Sequence, residues 1–234
     1  MNTWSKVARF HLTTRTWEYV TPLWILPAFV FLIVRIIYPA IYKTSAVMSQ
    51  HPDPAPLVAM CILFAISGLL SVMRSLPFLL ALGVGRRTYY IGTALLAVGL
   101  AVVNAALLVG VQWVEQATHG WGIGLHAFRQ PWIAAGPGFQ SWWTFWVAIA
   151  LSFVIGMWYG LVYLRWSLIG LIAFGALQII VVSAAIVTLT KLHAWHSVWH
   201  FMAGLGAGGL TDLLAILALV LFAGGLTTLR RATV

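Results

Sequence analysis

Residues 89–114 read YYIGTALLAVGLAVVNAALLVGVQWV and contain no charged side chain. This run is longer than the roughly 20 apolar residues that a helix needs to cross the hydrocarbon core of a bilayer. The whole chain of 234 residues has the same character, because 62% of it is hydrophobic and only 7% is charged. An average soluble protein is about 25% charged. So little charge cannot cover a globule in water, and the composition therefore predicts an all-α integral membrane protein.

Apolar windows of similar length predict six transmembrane helices. In chain order, the predicted spans are Pro22–Tyr42, Pro56–Met73, Tyr89–Val114, Trp142–Leu164, Leu168–Leu189 and Leu210–Leu229. Cys61 is the only cysteine and lies inside the second run, which excludes a disulfide within the chain. Because the six predicted spans follow one another across residues 22–234, this part of the chain is expected to form one transmembrane domain.

The basic residues predict the orientation of these spans. Nine of the 13 lysines and arginines fall in the N-terminal segment, in the loops after the second and fourth spans, and at the C-terminus. Only Lys43, Arg129 and Lys191 fall on the opposite side, while Arg35 lies inside the first span. Because cytoplasmic loops carry the excess of Lys and Arg, both termini of a multi-pass protein of the cell membrane are expected in the cytoplasm. The net charge of +9 is thereby assigned to membrane orientation and not to nucleic-acid binding.

Residues 1–21 precede the first span and form a segment of their own. Large apolar residues recur there at mostly helical spacing, between basic ones; they are Trp4, Val7, Phe10, Trp17 and Val20. This pattern is typical of an amphipathic helix that lies in the membrane interface. A disordered basic tail is the alternative. The first apolar run is too long for the core of a signal peptide, so we expect it to remain as an anchor.

The loop after the second span, residues 74–88, carries signals for a short helix. Pro77 fits the first turn of such a helix, and Gly83 and Gly85 fit its end. The sequence thus predicts an amphipathic helix parallel to the membrane. Its function would be to offer a surface that another protein grips, and the alternative is a connector at headgroup level with no partner.

The stretch 75–96, SLPFLLALGVGRRTYYIGTALL, resembles permease subunits of bacterial ABC-2-type transporters, particularly small actinobacterial ones. In that family, the loop between the second and third spans carries a coupling helix that sits in a groove of the ATPase. The resemblance implies that Ser75–Gly85 is this helix. The residues implied to couple to the ATPase are Ser75, Leu76, Pro77, Phe78, Leu79, Leu82, Gly83, Arg86 and Arg87.

The same resemblance implies the membrane subunit of an exporter, with two ATPase subunits and a second copy of this or a related permease as partners. The cargo would be amphipathic: a peptide, a lipid-like molecule or a drug. A P-loop requires Gly-x4-Gly-Lys-Ser/Thr, and no lysine of this chain follows a glycine. ATP and Mg are therefore expected on a partner chain, and this chain is not expected to be an enzyme or to bind a cofactor.

Four polar residues inside or near the spans are candidates for a translocation path: Arg35, Asn104, Gln178 and Asp212. An arginine within a span costs about 2.5–3.5 kcal/mol on insertion scales, so Arg35 needs a partner or a functional reason. Asp212 is the preferred partner, in a structural ion pair or on a path that attracts an anionic cargo group. Asn104 and Gln178 are expected by default to form hydrogen bonds between helices.

Two further patterns allow more than one interpretation. Ser152, Gly156 and Gly160 form a stripe of small residues on the fourth span, which favours close packing within the subunit, or alternatively across a dimer. The other is a set of outer histidines at i, i+3 and i+7, which share one face if the segment is helical; they are His193, His196 and His200. They are weak metal candidates, because alternating tryptophans also indicate a helix in the outer interface.

Two rival functions remain open at this stage. A membrane enzyme would cluster its catalytic carboxylates or histidines at one face, but the four acidic residues are scattered along the chain. A sensor or assembly protein with the permease fold would lack a partner ATPase. The sequence therefore favours a conduit over an enzyme.

Overall fold

The computed structural model describes residues 25, 27–37, 54–130 and 138–231. The amphipathic helix predicted for residues 1–21 lies outside this part of the chain. The described helices are α1 (Pro27–Ile37), α2 (Ala55–Leu70), α3 (Leu76–Ala81), α4 (Arg86–Ala117), α5 (Phe139–Lys191) and α6 (Trp195–Arg231). Two π-turns, Ser71–Ser75 and Gly120–Gly124, lie between them. These elements of the described residues include no strand, so the all-α prediction is confirmed for this part of the chain.

Four helical stretches are long and apolar enough to cross a membrane, among the residues described: Ala55–Ala81, Arg86–Ala117, Phe139–Lys191 and Trp195–Thr228. Pro27–Ile37 is a shorter apolar helix. Large apolar side chains stand exposed along these helices, as at Ile169 (81%) and Ile179 (69%). Water disfavours such a surface and lipid does not, so the exposed faces suggest a protein embedded in a bilayer.

The long helix α5 consists of two arms that fold back on each other. Ser167, at φ 58° and ψ −160°, interrupts the helical backbone between residues 139–166 and 168–191. Across this break, the Tyr159 hydroxyl donates to Oε1 of Gln178, and the Tyr159 ring meets the ring of Phe174 edge-on at 5.3 Å. In a straight helix, Tyr159 and Gln178 would lie roughly 28 Å apart. The arms are therefore antiparallel, with the break between the fourth and fifth predicted spans.

A second break divides α6. Gly206, at φ 63° and ψ −175°, separates residues 195–205 from residues 207–231. A backbone with positive φ is readily adopted by glycine, which has no Cβ. The predicted sixth span, Leu210–Leu229, falls within the second part.

The helix α2 packs closely against the first arm of α5. A Cβ added at Gly156 would lie 1.8 Å from the carbonyl oxygen of Ala65, and one added at Gly160 would lie 2.6 Å from Cβ of Val72. Small residues allow such close backbone approach in membrane helices. The predicted use of the small-residue stripe for packing within the subunit is therefore confirmed for its two glycines. Residue numbers rise together on both helices, so the two run parallel.

The second part of α6 also runs parallel to the first arm of α5. The hydroxyls of Thr144 and Thr211 lie 3.0 Å apart. Further along both helices, Nε1 of Trp158 donates to the carbonyl oxygen of Leu221 at 2.7 Å. These two contacts hold the helices together at two levels.

The helix α4 runs in the opposite direction to both. Nε1 of Trp146 approaches the carbonyl oxygen of Val98 at 3.4 Å, and the ring of Tyr90 stacks on that of Phe222 at 5.2 Å. Lower residue numbers of α4 thus meet the later turns of α6. As a consequence, Arg74, Arg86, Arg87 and Arg165 lie toward one end of the bundle, here called the inner end.

Candidate docking surface and inter-helix cavity

The segment around Pro77 continues from α2 with no intervening loop. The backbone widens into the π-turn Ser71–Ser75 and returns to α-helix at Leu76–Ala81. A proline ring inside a helix collides with the carbonyl four residues earlier, which here belongs to Met73. Met73 lies in the π-turn, so the helix is widened where that collision would occur. The helix expected as a separate in-plane element is therefore a continuation of α2.

The end of α3 agrees with the glycine signal in the sequence. Gly83 has φ 80°, and its amide donates to the Leu80 carbonyl at 3.0 Å. The amide of Val84 donates to the Leu79 carbonyl at 3.0 Å. This pair of bonds is the Schellman motif, in which glycine is favoured because the backbone turns left-handed. Only residues 82–85 then connect α3 to α4.

The inner patch is the surface formed by Arg74, Phe78, Leu82 and Arg87. Phe78 and Leu82 lie one helical turn apart and are 52% and 64% exposed. The two arginines on either side of them in sequence are exposed as well. The patch thus offers both apolar contact and positive charge at the inner end.

Three residues implied as ATPase contacts point inward instead. Ser75, Leu76 and Leu79 are all less than 5% exposed, and the two leucines belong to the hydrophobic core. They fasten the helix to the bundle through side-chain packing in that core.

A hydrogen bond ties the two sides of this turn together. The hydroxyl of Tyr89, in the first turn of α4, donates to the carbonyl oxygen of Ser71 at 2.6 Å. Tyr89 is 1% exposed and Ser71 is 5% exposed. The π-turn and the start of α4 are thus joined inside the protein.

An apolar cavity of about 310 Å³ lies between α4, the first arm of α5 and the second part of α6. Its volume is at the lower end of the ~300–1,000 Å³ range of small-molecule sites. Aromatic side chains from two of the helices line it together with alanines and other aliphatic residues; they are Trp143, Trp146, Phe153 and Phe222.

The outer rim of this cavity carries a carboxylate. Nε1 of Trp143 donates to Oδ1 of Asp212 at 2.9 Å, and the Trp143 ring stacks on Trp146 at 4.9 Å. Asp212 lies one turn before Ala215, which lines the cavity, and two turns before Leu219, which also lines it. Residues at this spacing share a helix face. Asp212 therefore lies on the face of α6 that borders the cavity, one turn before Ala215, the first residue of α6 that lines it.

The predicted pair of Arg35 and Asp212 is not formed. The guanidinium of Arg35 donates to the carbonyl oxygen of Trp121 at 3.3 Å, in the loop after α4. Asp212 instead accepts the indole N–H of Trp143. The arginine therefore places one of its five N–H donors on a backbone carbonyl, a neutral acceptor that the sequence pattern does not reveal.

The other two predicted path residues also have separate surroundings. Asn104 is 6% exposed, and its Nδ2 donates to the Leu100 carbonyl of its own helix at 2.7 Å, so this donor does not bridge two helices. Gln178 does bridge two helices, because its Oε1 accepts the Tyr159 hydroxyl. Among the described residues, no contact brings these two residues to Arg35 or Asp212.

The outer histidines do not share one helical face. His193 has φ 50° and precedes α6, whereas His196 and His200 lie within it with ring centroids 4.4 Å apart. The turn over residues 192–194 breaks the spacing that a single helix would have given. In the part of the chain that the structure describes, no group of three His, Cys, Asp or Glu side chains could hold a metal ion.

Glu115 is the polar residue whose role the sequence did not indicate. It is 0% exposed, in the last turn of α4, beneath the following loop. Its carboxylate accepts the amides of three successive residues at 2.8–3.2 Å and the indole N–H of Trp121 at 3.4 Å; the amides are those of Ala127, Phe128 and Arg129. Nδ1 of His126 lies 3.4 Å from its Oε1. The three glycines of residues 120–124 all have positive φ and turn the loop back over the carboxylate of Glu115. In the sequence, these glycines are the feature that could have indicated this loop.

Comparisons with protein-family models, with curated proteins and with solved structures found no match to this chain.

Proposed function

We propose that this chain is the membrane subunit of an ABC exporter of the ABC-2 type. The observation that carries the proposal is the inner patch: a helix turn fixed to the core on one face presents Phe78 and Leu82, between Arg74 and Arg87, on the other. In the family that the sequence resembles, the corresponding segment docks on the ATPase. The burial of Leu76 and Leu79 supports a mechanical link from that surface to the spans.

In this proposal the protein crosses the membrane six times and has both termini in the cytoplasm. The directions of the described helices support this topology, because each one runs antiparallel to the one before it in the chain. The helices in question are α2, α4, the two arms of α5 and the second part of α6. The arginines at the inner end support the orientation, since basic loops stay on the cytoplasmic side. The chain would supply half of a translocation pathway and pair with a second copy or a related permease.

In this proposal ATP hydrolysis takes place on two partner ATPases. Their closure pushes the inner patch, and the widened turn Ser71–Ser75 and the Tyr89 hydrogen bond pass the movement to α2 and α4 together. A π-turn is a weaker helix segment that is frequently found at functional sites, which suits a point of flexure. The apolar lining of the cavity between α4, α5 and α6 supports a cargo with an apolar part, as in the lipid-like, peptide or drug classes.

The test is whether a partner ATPase co-purifies with the tagged chain when it is expressed in its native host cell. We expect the tagged protein, extracted with native lipids, to retain a protein with a P-loop motif and ATPase activity. Phe78→Asp with Leu82→Asp should remove this ATPase, because a carboxylate in an apolar contact is costly to desolvate. The matched control is Leu168→Asp, at the other inner turn, where the leucine is 57% exposed. Equal ATPase recovery with all variants would contradict docking at the inner patch.

A further inference from the structure

The cavity between α4, α5 and α6 combines two features that together select one class of ligand. Its walls are apolar and aromatic, and the carboxylate of Asp212 stands at its outer rim. We propose that it is a binding site for a lipophilic organic cation, with the apolar body in the cavity and the cationic group at Asp212. As a cargo site this rests on the proposed function, whereas binding itself does not.

The walls can hold the body of such a ligand without a polar partner. Phe153, Phe222 and Trp146 line a space of about 310 Å³, together with small side chains such as Ala215 and Ala218. Transfer of the ligand's apolar surface from water into this space is favourable. Because lipid tails can also fill such a space, the walls alone do not distinguish a ligand from a lipid chain.

The carboxylate of Asp212, at the outer rim, supplies the preference for a cationic ligand. Asp212 is exposed and, among the described residues, forms no ion pair; its described contact is the neutral indole N–H of Trp143. Because the indole carries no charge, it does not compensate the negative charge of the carboxylate. Since Asp212 borders an apolar space, a cation placed beside it is attracted more strongly than in water.

The aromatic rings at the rim favour the same charge. The Trp143 and Trp146 rings stack at 4.9 Å and both line the cavity near its outer end. The face of an indole ring attracts cations, with tryptophan the strongest of the aromatic side chains. Carboxylate and rings therefore favour a positive headgroup and disfavour an anionic one. This differs from a path built on Arg35, which would attract an anion.

The experiment measures equilibrium binding of three matched probes to the purified protein in phosphatidylcholine nanodiscs, with empty nanodiscs as background. The probes are a phenylbutyl trimethylammonium cation, its uncharged tert-butyl isostere and a phenylbutyl sulfonate of the same length. We expect the cation to bind about tenfold more tightly than the isostere, and the sulfonate not to bind measurably. Equal binding of the cation and the isostere would overturn the proposal and leave a cavity that holds apolar chains only.

Substitutions at Asp212 and Ala218, each with a control, distinguish the contribution of the carboxylate from that of the cavity walls. Asp212→Asn keeps the size and the acceptor for Trp143, so we expect the advantage of the cation to fall about tenfold with binding of the isostere unchanged, while Asp212→Glu retains the advantage. Ala218→Trp, which fills the cavity, should abolish binding of both probes, whereas Ala173→Trp on the exposed face of α5 should leave both unchanged. If Asp212→Asn binds the cation as the wild type does, the carboxylate is not the recognition group and the proposal fails.

These results are independent of the ATPase experiment. Selective cation binding without a co-purifying ATPase would leave the site in place and remove the exporter function. An ATPase that depends on the inner patch, with no selective cation binding, would leave the exporter function in place and remove this site.

Discussion

The hydroxyl of Tyr89 donates a hydrogen bond to the carbonyl oxygen of Ser71 at 2.6 Å. Ser71 begins the widened turn that follows α2, and Tyr89 lies in the first turn of α4. The contact therefore joins the two helices on either side of the inner patch. In the proposed function, a force applied to Phe78 and Leu82 would reach both helices, because this hydrogen bond fastens them to each other.

Removal of this hydroxyl should loosen the inner end of the bundle. We expect Tyr89→Phe to lower the free energy of unfolding by about 1–3 kcal/mol, because a buried carbonyl loses a hydrogen-bond partner. Unfolding of the purified protein in mixed micelles with increasing SDS measures the change. Tyr163→Phe is the control, since none of the described contacts uses that hydroxyl. Equal stability of the two variants would show that the Ser71 contact contributes nothing.

The packing of α2 against α5 should be the least tolerant of added volume. Gly156→Ala places a methyl group 1.8 Å from the Ala65 carbonyl oxygen, so the helices must separate. We expect a loss of about 1–3 kcal/mol or more in the same unfolding measurement. Gly175→Ala meets nothing within 4 Å and should be neutral or stabilising by up to about 1 kcal/mol. A neutral Gly156→Ala would contradict the close approach of the two helices.

The buried carboxylate of Glu115 should hold the loop after α4 in place. Glu115→Ala removes the acceptor of the amides of Ala127, Phe128 and Arg129, at about 1–3 kcal/mol for each of the two buried amides, those of Ala127 and Phe128. Hydrogen exchange at these amides should accelerate at least about tenfold, since 1.4 kcal/mol corresponds to a factor of ten. Gln116→Ala changes an exposed neighbour and should leave exchange unchanged. Unaltered exchange in Glu115→Ala would mean that the loop is held by other contacts.

The two arms of α5 should be energetically coupled through Tyr159 and Gln178. Tyr159→Phe and Gln178→Leu each remove the hydrogen bond between the arms. A double-mutant cycle of unfolding free energies should give a coupling of about 0.6 kcal/mol, the average for such bonds in a membrane protein, and no more than about 1.7 kcal/mol, the largest value found there. Additive effects of the two substitutions would argue against the fold-back at Ser167.

The sequence predicts well the features that depend on local composition or helical spacing. The apolar run 89–114 lies within α4, the glycines at 156 and 160 pack against α2, and Gly83 ends α3. Each of these follows from a property of the residue itself: its hydropathy, its size or its backbone freedom. The turn predicted between the fourth and fifth spans, at residues 165–167, also lies where the structure has it, because the helix breaks at Ser167.

Features that depend on contacts between distant residues are not predicted. Charge alone pairs Arg35 with Asp212, but the donor of Arg35 goes to the backbone carbonyl of Trp121, which no side-chain pattern reveals. Glu115 likewise has its acceptors filled by backbone amides of a loop. Backbone groups are identical at nearly every residue, so sequence reasoning has no means of choosing among them.

Photo-crosslinking from a single position on the inner patch tests the proposed contact with a P-loop ATPase. A photoreactive phenylalanine analogue replaces Phe78, which is 52% exposed, and in a matched protein it replaces Trp166, which is 56% exposed near the other inner turn. After irradiation in the cell that encodes the chain, mass spectrometry identifies the crosslinked peptides. We expect peptides of a P-loop ATPase at position 78, and fewer or none at position 166. Crosslinks at position 78 to lipid alone, or to proteins without that motif, would contradict it.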